Sequence, residues 1–144
     1  MNSIHTKTLQ DLEFPTVLQQ IAARCNTELG KERAMEIAPI LSEETIRLVL
    51  GQTSEYLSSL VSENRIPKHG FDRIDAELNL LKIENTTLEV GSFRKIGTIC
   101  TTITTHKKFF KKFKEYYPLL FAASEEIELN TEIPKEIDGV IDRF

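Results

Sequence analysis

The densest gathering of chemically capable side chains is Lys107 to Lys114, KKFFKKFK, where five lysines and three phenylalanines fill eight positions. At 100° per residue the two kinds segregate. Phe109, Phe110 and Phe113, with Tyr116 and Tyr117, share one arc of roughly 120°, while Lys107, Lys108, Lys111, Lys112 and Lys114 take the other side. Clustered lysines release counterions from a polyanion, so the functional reading is a phosphate-contacting face. The plainer reading is a buried aromatic stripe backed by solvated lysines. Phenylalanines committed to a core cannot also stack on bases.

Other constellations point away from catalysis. Gly91 to Thr98, GSFRKIGT, superficially resembles a phosphate-binding loop, but GxxxxGK[ST] needs its second glycine five residues after the first, then a lysine that reaches the phosphates. Ile96 holds that place, and the segment reads as helix. Glu43 and Glu44 are an adjacent carboxylate pair, yet they suit the positive start of a helix. Glu125 and Glu126 fall in a polar link with no neighbouring His or Arg to perturb them. His5, His69 and His106 are spread over the chain without metal-ligand spacing, and His69 reads as a surface residue. None stands in a pattern that would activate a Ser or Thr nucleophile. The expectation is no catalytic, cofactor-binding or metal-ligating residue in 1–144 and no small-molecule substrate, so the chain itself is not an enzyme.

The chain has 144 residues, 40% of them hydrophobic, enough for one domain with a core. Its 18 Lys and Arg against 22 Asp and Glu give a net charge of −4, so any affinity for a polyanion must come from a local patch. Cys25 and Cys100 fall on apolar helix faces, and no charged-then-apolar leader precedes them. Reduced thiols and a cytoplasmic location follow. No run of 18 apolar residues is present to span a membrane.

Hydrophobic spacing predicts an all-α fold of five to seven helices in one domain, 1–144. After a polar lead-in to Gln10, Phe14, Val17, Leu18, Ile21, Ala22 and Cys25 mark one helix face, with Pro15 suited to its first turn. Thr27 and Glu28 read as the cap and first turn of a second helix, which Pro39 stops. Gly30 in that first turn predicts a close crossing by the first helix. Ser42 caps a third helix to about Ser62, with Ile46, Val49, Leu50, Thr53, Leu57, Leu60 and Val61 as its buried stripe and Gly51 permitting close packing. Ser62 to Gly70 is a loop, and Phe71 to Ile83 a shorter helix capped near Asp72. Residues 88–117 are predicted as one long helix ended by Pro118. The β-branched run TICTTITT argues for a strand, but Phe93, Ile96, Ile99, Cys100, Ile103, Phe110, Phe113 and Tyr117 keep helical spacing through it. A short turn of helix over Leu119 to Ser124 and a last helix from Lys135 to Phe144, opened by Pro134, complete the chain. No Gly or Asn cap closes that helix, which predicts continuation in a longer protein. The expected core is Leu18, Ile21, Ile37, Leu57, Leu60, Ile99, Ile103 and Phe110.

Leu12-Glu13-Phe14, Val17-Leu18, Ile21-Ala22, the run Thr27-Glu28-Leu29-Gly30-Lys31-Glu32-Arg33-Ala34 and Ala38-Pro39 together resemble the N-terminus of the type-two bacterial MutS family. These are MutS-like ATPases that lack a mismatch-reading domain and usually end in a small Smr nuclease domain. Thr53-Ser54-Glu55 fits the same pattern. Pro15 departs from it, since a charged residue is more usual after the phenylalanine, and the likeness weakens after about residue 100. The resemblance implies that 1–144 is the N-terminal part of the MutS-like core domain, a non-catalytic segment connecting the ATPase to arms that clamp nucleic acid. The parent it implies is a homodimeric ATPase using ATP and Mg, with an endonuclease domain, acting on branched DNA in repair and recombination suppression or on ribosomal RNA at stalled ribosomes. Its nucleotide site and nuclease would lie beyond Phe144.

A second reading needs no such parent. A stand-alone helical module could lay the basic amphipathic helix on an anionic membrane surface or a partner protein. Sequence beyond Phe144 discriminates the two, since a Walker A motif several hundred residues downstream supports the first.

Overall fold

The computed structural model describes residues 4–141, with side chains for 4–139. These residues form eight helices and no strand. They fall into two compact units, Met1–Leu50 and Gly51–Phe144, with the boundary inside the fourth helix.

The first unit holds α1 (Thr6–Asp11), α2 (Phe14–Ala22), α3 (Glu28–Met35) and the start of α4 (Glu43–Val61). α1 arises within the segment read as lead-in, because His5 caps it by accepting the Lys7 N–H through Nδ1 at 3.2 Å. α2 starts with Pro15 in its first turn and buries Leu18. Thr27 caps α3 as expected, its Oγ1 accepting the Gly30 N–H at 3.0 Å. That same oxygen explains the glycine. A Cβ on Gly30 would lie 3.0 Å from Thr27 Oγ1 and 3.4 Å from Cys25 Cβ, so the cap and the link after α2 crowd it, rather than a helix crossing. α3 stops at Met35, four residues before Pro39, because Glu36 donates to the last carbonyls as a C-cap. Ile37 therefore leaves the helical face and is 47% exposed, against the core position expected of it, and Ile21 is 41% exposed.

The second unit holds the rest of α4, α5 (Asp75–Leu80), α6 (Val90–Lys112), α7 (Pro118–Glu125) and α8 (Glu132–Ile141). α6 packs against α7 and α8. The threonine-rich run lies wholly inside α6, so periodicity outweighs β-propensity there. The long helix is nevertheless shorter than 88–117. Phe113 leaves helical dihedrals as the C-cap, and the turn that follows brings Tyr117 to 2% exposure with its hydroxyl donating to Asn64 O at 2.8 Å. Pro118 then opens α7 instead of ending α6. α5 is likewise trimmed, with Ile74 at its N-cap. α8 begins at Glu132, two residues before Pro134, and the end expected at Phe144 lies outside the described residues.

α4 turns the opposite face inward from the one its hydrophobic pattern suggests. In this unit its packed positions are Gly51, Glu55 and Ser59, the last only 1% exposed. Leu57, Leu60 and Val61 are 58%, 52% and 88% exposed, which removes Leu57 and Leu60 from the expected core. At 100° per residue the two faces are centred about 180° apart. Small side chains decide the matter. A Cβ on Gly51 would sit 2.5 Å from Leu119 Cδ1, so α7 seats where α4 has no bulk. The Glu55 carboxylate accepts the Leu119 and Leu120 N–H groups at 2.9 Å each. α7 begins with a proline and has no side-chain cap from its own N-cap residue, so Glu55 satisfies amides that would otherwise be orphaned.

A second long-range polar link joins α5 to α6. Glu77, on the buried side of α5, accepts from Lys95 Nζ at 2.8 Å. That hydrogen bond is the chief reason its carboxyl is held below the ordinary 4.5. A depressed carboxyl stabilises the fold fully above its unfolded value and loses that contribution as pH falls through the folded value. On acidification below about pH 4.5, wild type should therefore lose melting temperature more steeply than Glu77→Gln. Parallel curves would show that the pair contributes nothing.

Candidate nucleic-acid interface

α6 is the only feature that gathers unpaired cations along one element of the described chain. Its 23 residues include Arg94, Lys95, Lys107, Lys108, Lys111 and Lys112 and no carboxylate, in a chain that is acidic as a whole. The helix sorts these charges. Lys95 turns inward to Glu77. Lys107, expected on the open face, also turns inward: its side chain is 27% exposed, donates to Ile127 O at 2.8 Å and lies 3.6 Å from Glu125. The carbonyl it bonds follows α7, so this lysine ties α6 to the chain beyond. Lys108, Lys111 and Lys112 are exposed without an ion-pair partner among the described residues. The Lys112 ammonium stands 5.0 Å from the Phe113 ring centroid. Lys114 is exposed too, but in the turn after the helix. The five lysines thus divide into one structural residue, three on the helix surface and one on a neighbouring turn.

Most of the aromatic arc is spent on packing, but Tyr116, expected on the same arc, is 68% exposed because it lies in the turn after α6. Phe110 is 8% and Tyr117 2% exposed. Phe109 stacks on Tyr117 at 5.8 Å and lies 4.8 Å from Phe113, while Phe110 meets Phe109 and Tyr117 edge-on. A helix that docks on a membrane surface must bury its apolar face in the acyl boundary. Here that face is already occupied, which disfavours the membrane-docking module. No helix among the described residues is long and apolar enough to cross a membrane.

His69 and His106, far apart in sequence, meet edge-on at 5.2 Å. The two ring nitrogens of His106 face Thr102 O at 2.8 Å and Pro67 O at 3.1 Å, pinning the 62–70 loop to α6. The His69 side of this pair was invisible in the sequence, since nothing local marks it. Among the described residues no three His, Cys, Asp or Glu side chains gather where they could hold a metal ion. Cys25 and Cys100 are free thiols, Cys100 buried on α6 and Cys25 half-buried after α2. Gly91 to Thr98 is continuous α-helix, with the Ser92 and Phe93 amides bonded to Glu89 O, so it does not form the loop that cradles a nucleotide's phosphates.

Comparison with known proteins gives these features a setting. The chain is 29% identical over 135 residues to the endonuclease MutS2 of Pelotomaculum thermopropionicum, covering 94% of this chain and 17% of that protein. It is 25% identical over 142 residues to endonuclease MutS2 of Staphylococcus epidermidis and 25% over 139 residues to that of Bacillus velezensis, each time covering 94% of this chain and 18% of the relative. No family model matches the sequence, and no solved structure does. Over nearly all of its length the chain is thus similar to MutS2 proteins at 25–29% identity. It spans less than a fifth of the length of the curated relatives it matches.

Proposed function

We propose that this chain serves as a non-catalytic helical core segment of a MutS-like ATPase, joining the ATPase to arms that clamp nucleic acid, and that the outer lysines of α6 contact the nucleic-acid backbone. The observation that carries the reading is likeness to endonuclease MutS2 along 94% of this chain, combined with a helix whose free charges are all positive. On this proposal the parent is a cytoplasmic homodimer that uses ATP and Mg and carries the endonuclease domain elsewhere, with branched DNA or ribosomal RNA as its target in repair, recombination suppression or ribosome rescue. Lysines act as point charges without bidentate base readout, so contact should be weak, salt-sensitive and indifferent to sequence.

Fluorescence anisotropy with a labelled duplex tests this. Wild type should bind with an affinity that falls as salt rises. Changing Lys108, Lys111 and Lys112 to Glu should abolish binding at low salt, because each phosphate-contacting lysine contributes ~0.9 to the slope of log K against log salt. Lys107→Gln should leave that slope unchanged. The purified chain should show no saturable ATP turnover. Unaltered duplex binding by the triple variant would reduce the lysines to a solvated face.

A further inference from the structure

The basic end of α6 does not stop at the lysines. The helix's remaining exposed positions are Val90, Gly91, Arg94, Thr98, Thr101 and Thr105. At 100° per residue Arg94, Thr98, Thr101, Thr105, Lys108 and Lys112 fall within an arc of about 80°, and at 1.5 Å per residue they run for about 27 Å. No carboxylate lies on this stripe. Arg94 has no ion-pair partner among the described residues. It shares a hollow of about 420 Å³ with Asp72 and with Lys95, the latter already engaged by Glu77.

The threonines separate in a way that helix formation does not require. Thr98 and Thr104 bond back to the carbonyls of Arg94 and Cys100 at 2.9 and 2.8 Å, the usual local use of a helical hydroxyl. Thr101 and Thr105 are exposed and their hydroxyls make no hydrogen bond among the described residues. Threonine is a poorer helix former than Ala, Lys, Glu or Gln, so neither propensity nor packing accounts for three of them on the solvent side of a long helix. The free hydroxyls of Thr101 and Thr105 stand between a cationic end at Arg94 and another at Lys108 and Lys112.

We infer that the stripe from Arg94 through Thr101 and Thr105 to Lys112 is one continuous track for the sugar–phosphate backbone of a double-stranded nucleic acid. This rests on the lysine contact proposed above and extends it along the whole helix. Cations hold phosphates at both ends, and the hydroxyls donate to phosphate oxygens between them. A duplex fits better than a single strand. Binding of unpaired bases relies on aromatic stacking platforms, and no aromatic residue lies on this stripe, Phe110 being buried and Phe93 and Phe109 half-buried on other sides of α6.

The two kinds of contact leave different signatures in salt titrations of duplex binding by the purified chain, after circular dichroism has shown that each variant is helical. Arg94→Gln should lower affinity and reduce the salt slope by ~0.9, as loss of one phosphate contact does. The double change Thr101→Val and Thr105→Val removes hydroxyls at constant shape and charge. It should weaken binding roughly three- to tenfold with the slope unchanged. Serine at both positions should restore affinity. If the lysine variants weaken binding while the Arg94 and threonine variants match wild type in affinity and slope, the track is overturned and the lysine contact stands. If wild type does not bind duplex, or if lysine changes have no effect, both fail. Tighter binding to a single strand, or Arg94-dependent binding to phosphatidylserine vesicles without duplex binding, would also overturn the track.

Discussion

Phe110→Ala should destabilise the chain by about 3–4 kcal/mol, whereas Leu57→Ala should cost less than about 1 kcal/mol. Both are large apolar residues at helical spacing, and composition does not distinguish them. Phe110 is 8% exposed and meets Phe109, His106 and Tyr117 at centroid distances of 5.6, 6.3 and 6.5 Å. Removing its ring would open a cavity among rigid neighbours. Leu57 is 58% exposed on the outer side of α4, so its truncation forfeits little burial. Urea unfolding of both variants, compared at a common m-value, reads the difference. Equal costs would show that the outer stripe of α4 is part of the core after all.

Glu55→Ala should cost about 2–3 kcal/mol, a large effect for a carboxylate on a helix. Its two oxygens each accept a backbone N–H of α7 at 2.9 Å. Hydrogen bonds to a charged group contribute more than neutral ones, and removing the acceptor strands two part-buried amides at once. Glu55→Gln keeps one acceptor oxygen and should lose about half as much. Hydrogen exchange gives an independent readout. The amides of Leu119 and Leu120 should exchange faster in Glu55→Ala while those of α2 and α3 keep their rates. A variant within about 0.5 kcal/mol of wild type would mean that water caps α7 equally well.

These two residues also mark what could and could not be read from the sequence. Periodicity located α6, because Phe93, Ile96, Cys100, Ile103 and Phe110 repeat on one side of it through the threonines. It overran the end because Phe113 and Tyr117 continue the same spacing across the turn at 113–117, and spacing alone does not report a change of dihedral. In α4 the pattern identified the apolar side correctly, but an apolar stripe does not say which side the neighbouring helix occupies. Gly51, Ser59 and the capping demand of α7 settle that. Glu55 belongs to the Thr53-Ser54-Glu55 pattern, yet its partners lie 64 and 65 residues away, beyond the reach of any local rule. Lys107 was misplaced for the same reason, since the carbonyl that draws it inward belongs to Ile127. Thr27 and Ser42 were readable because a cap's partner lies only three residues ahead.

The most direct test of the account is to follow the backbone amides of the labelled chain by NMR while a short duplex is added at low salt. Shifts should concentrate on Arg94, Thr98, Thr101, Thr105, Lys108, Lys111 and Lys112, leave Lys95 and Lys107 little changed, and reverse when salt is raised. Perturbation confined to the exposed apolar side of α4, or none on α6 at saturating duplex, would contradict it.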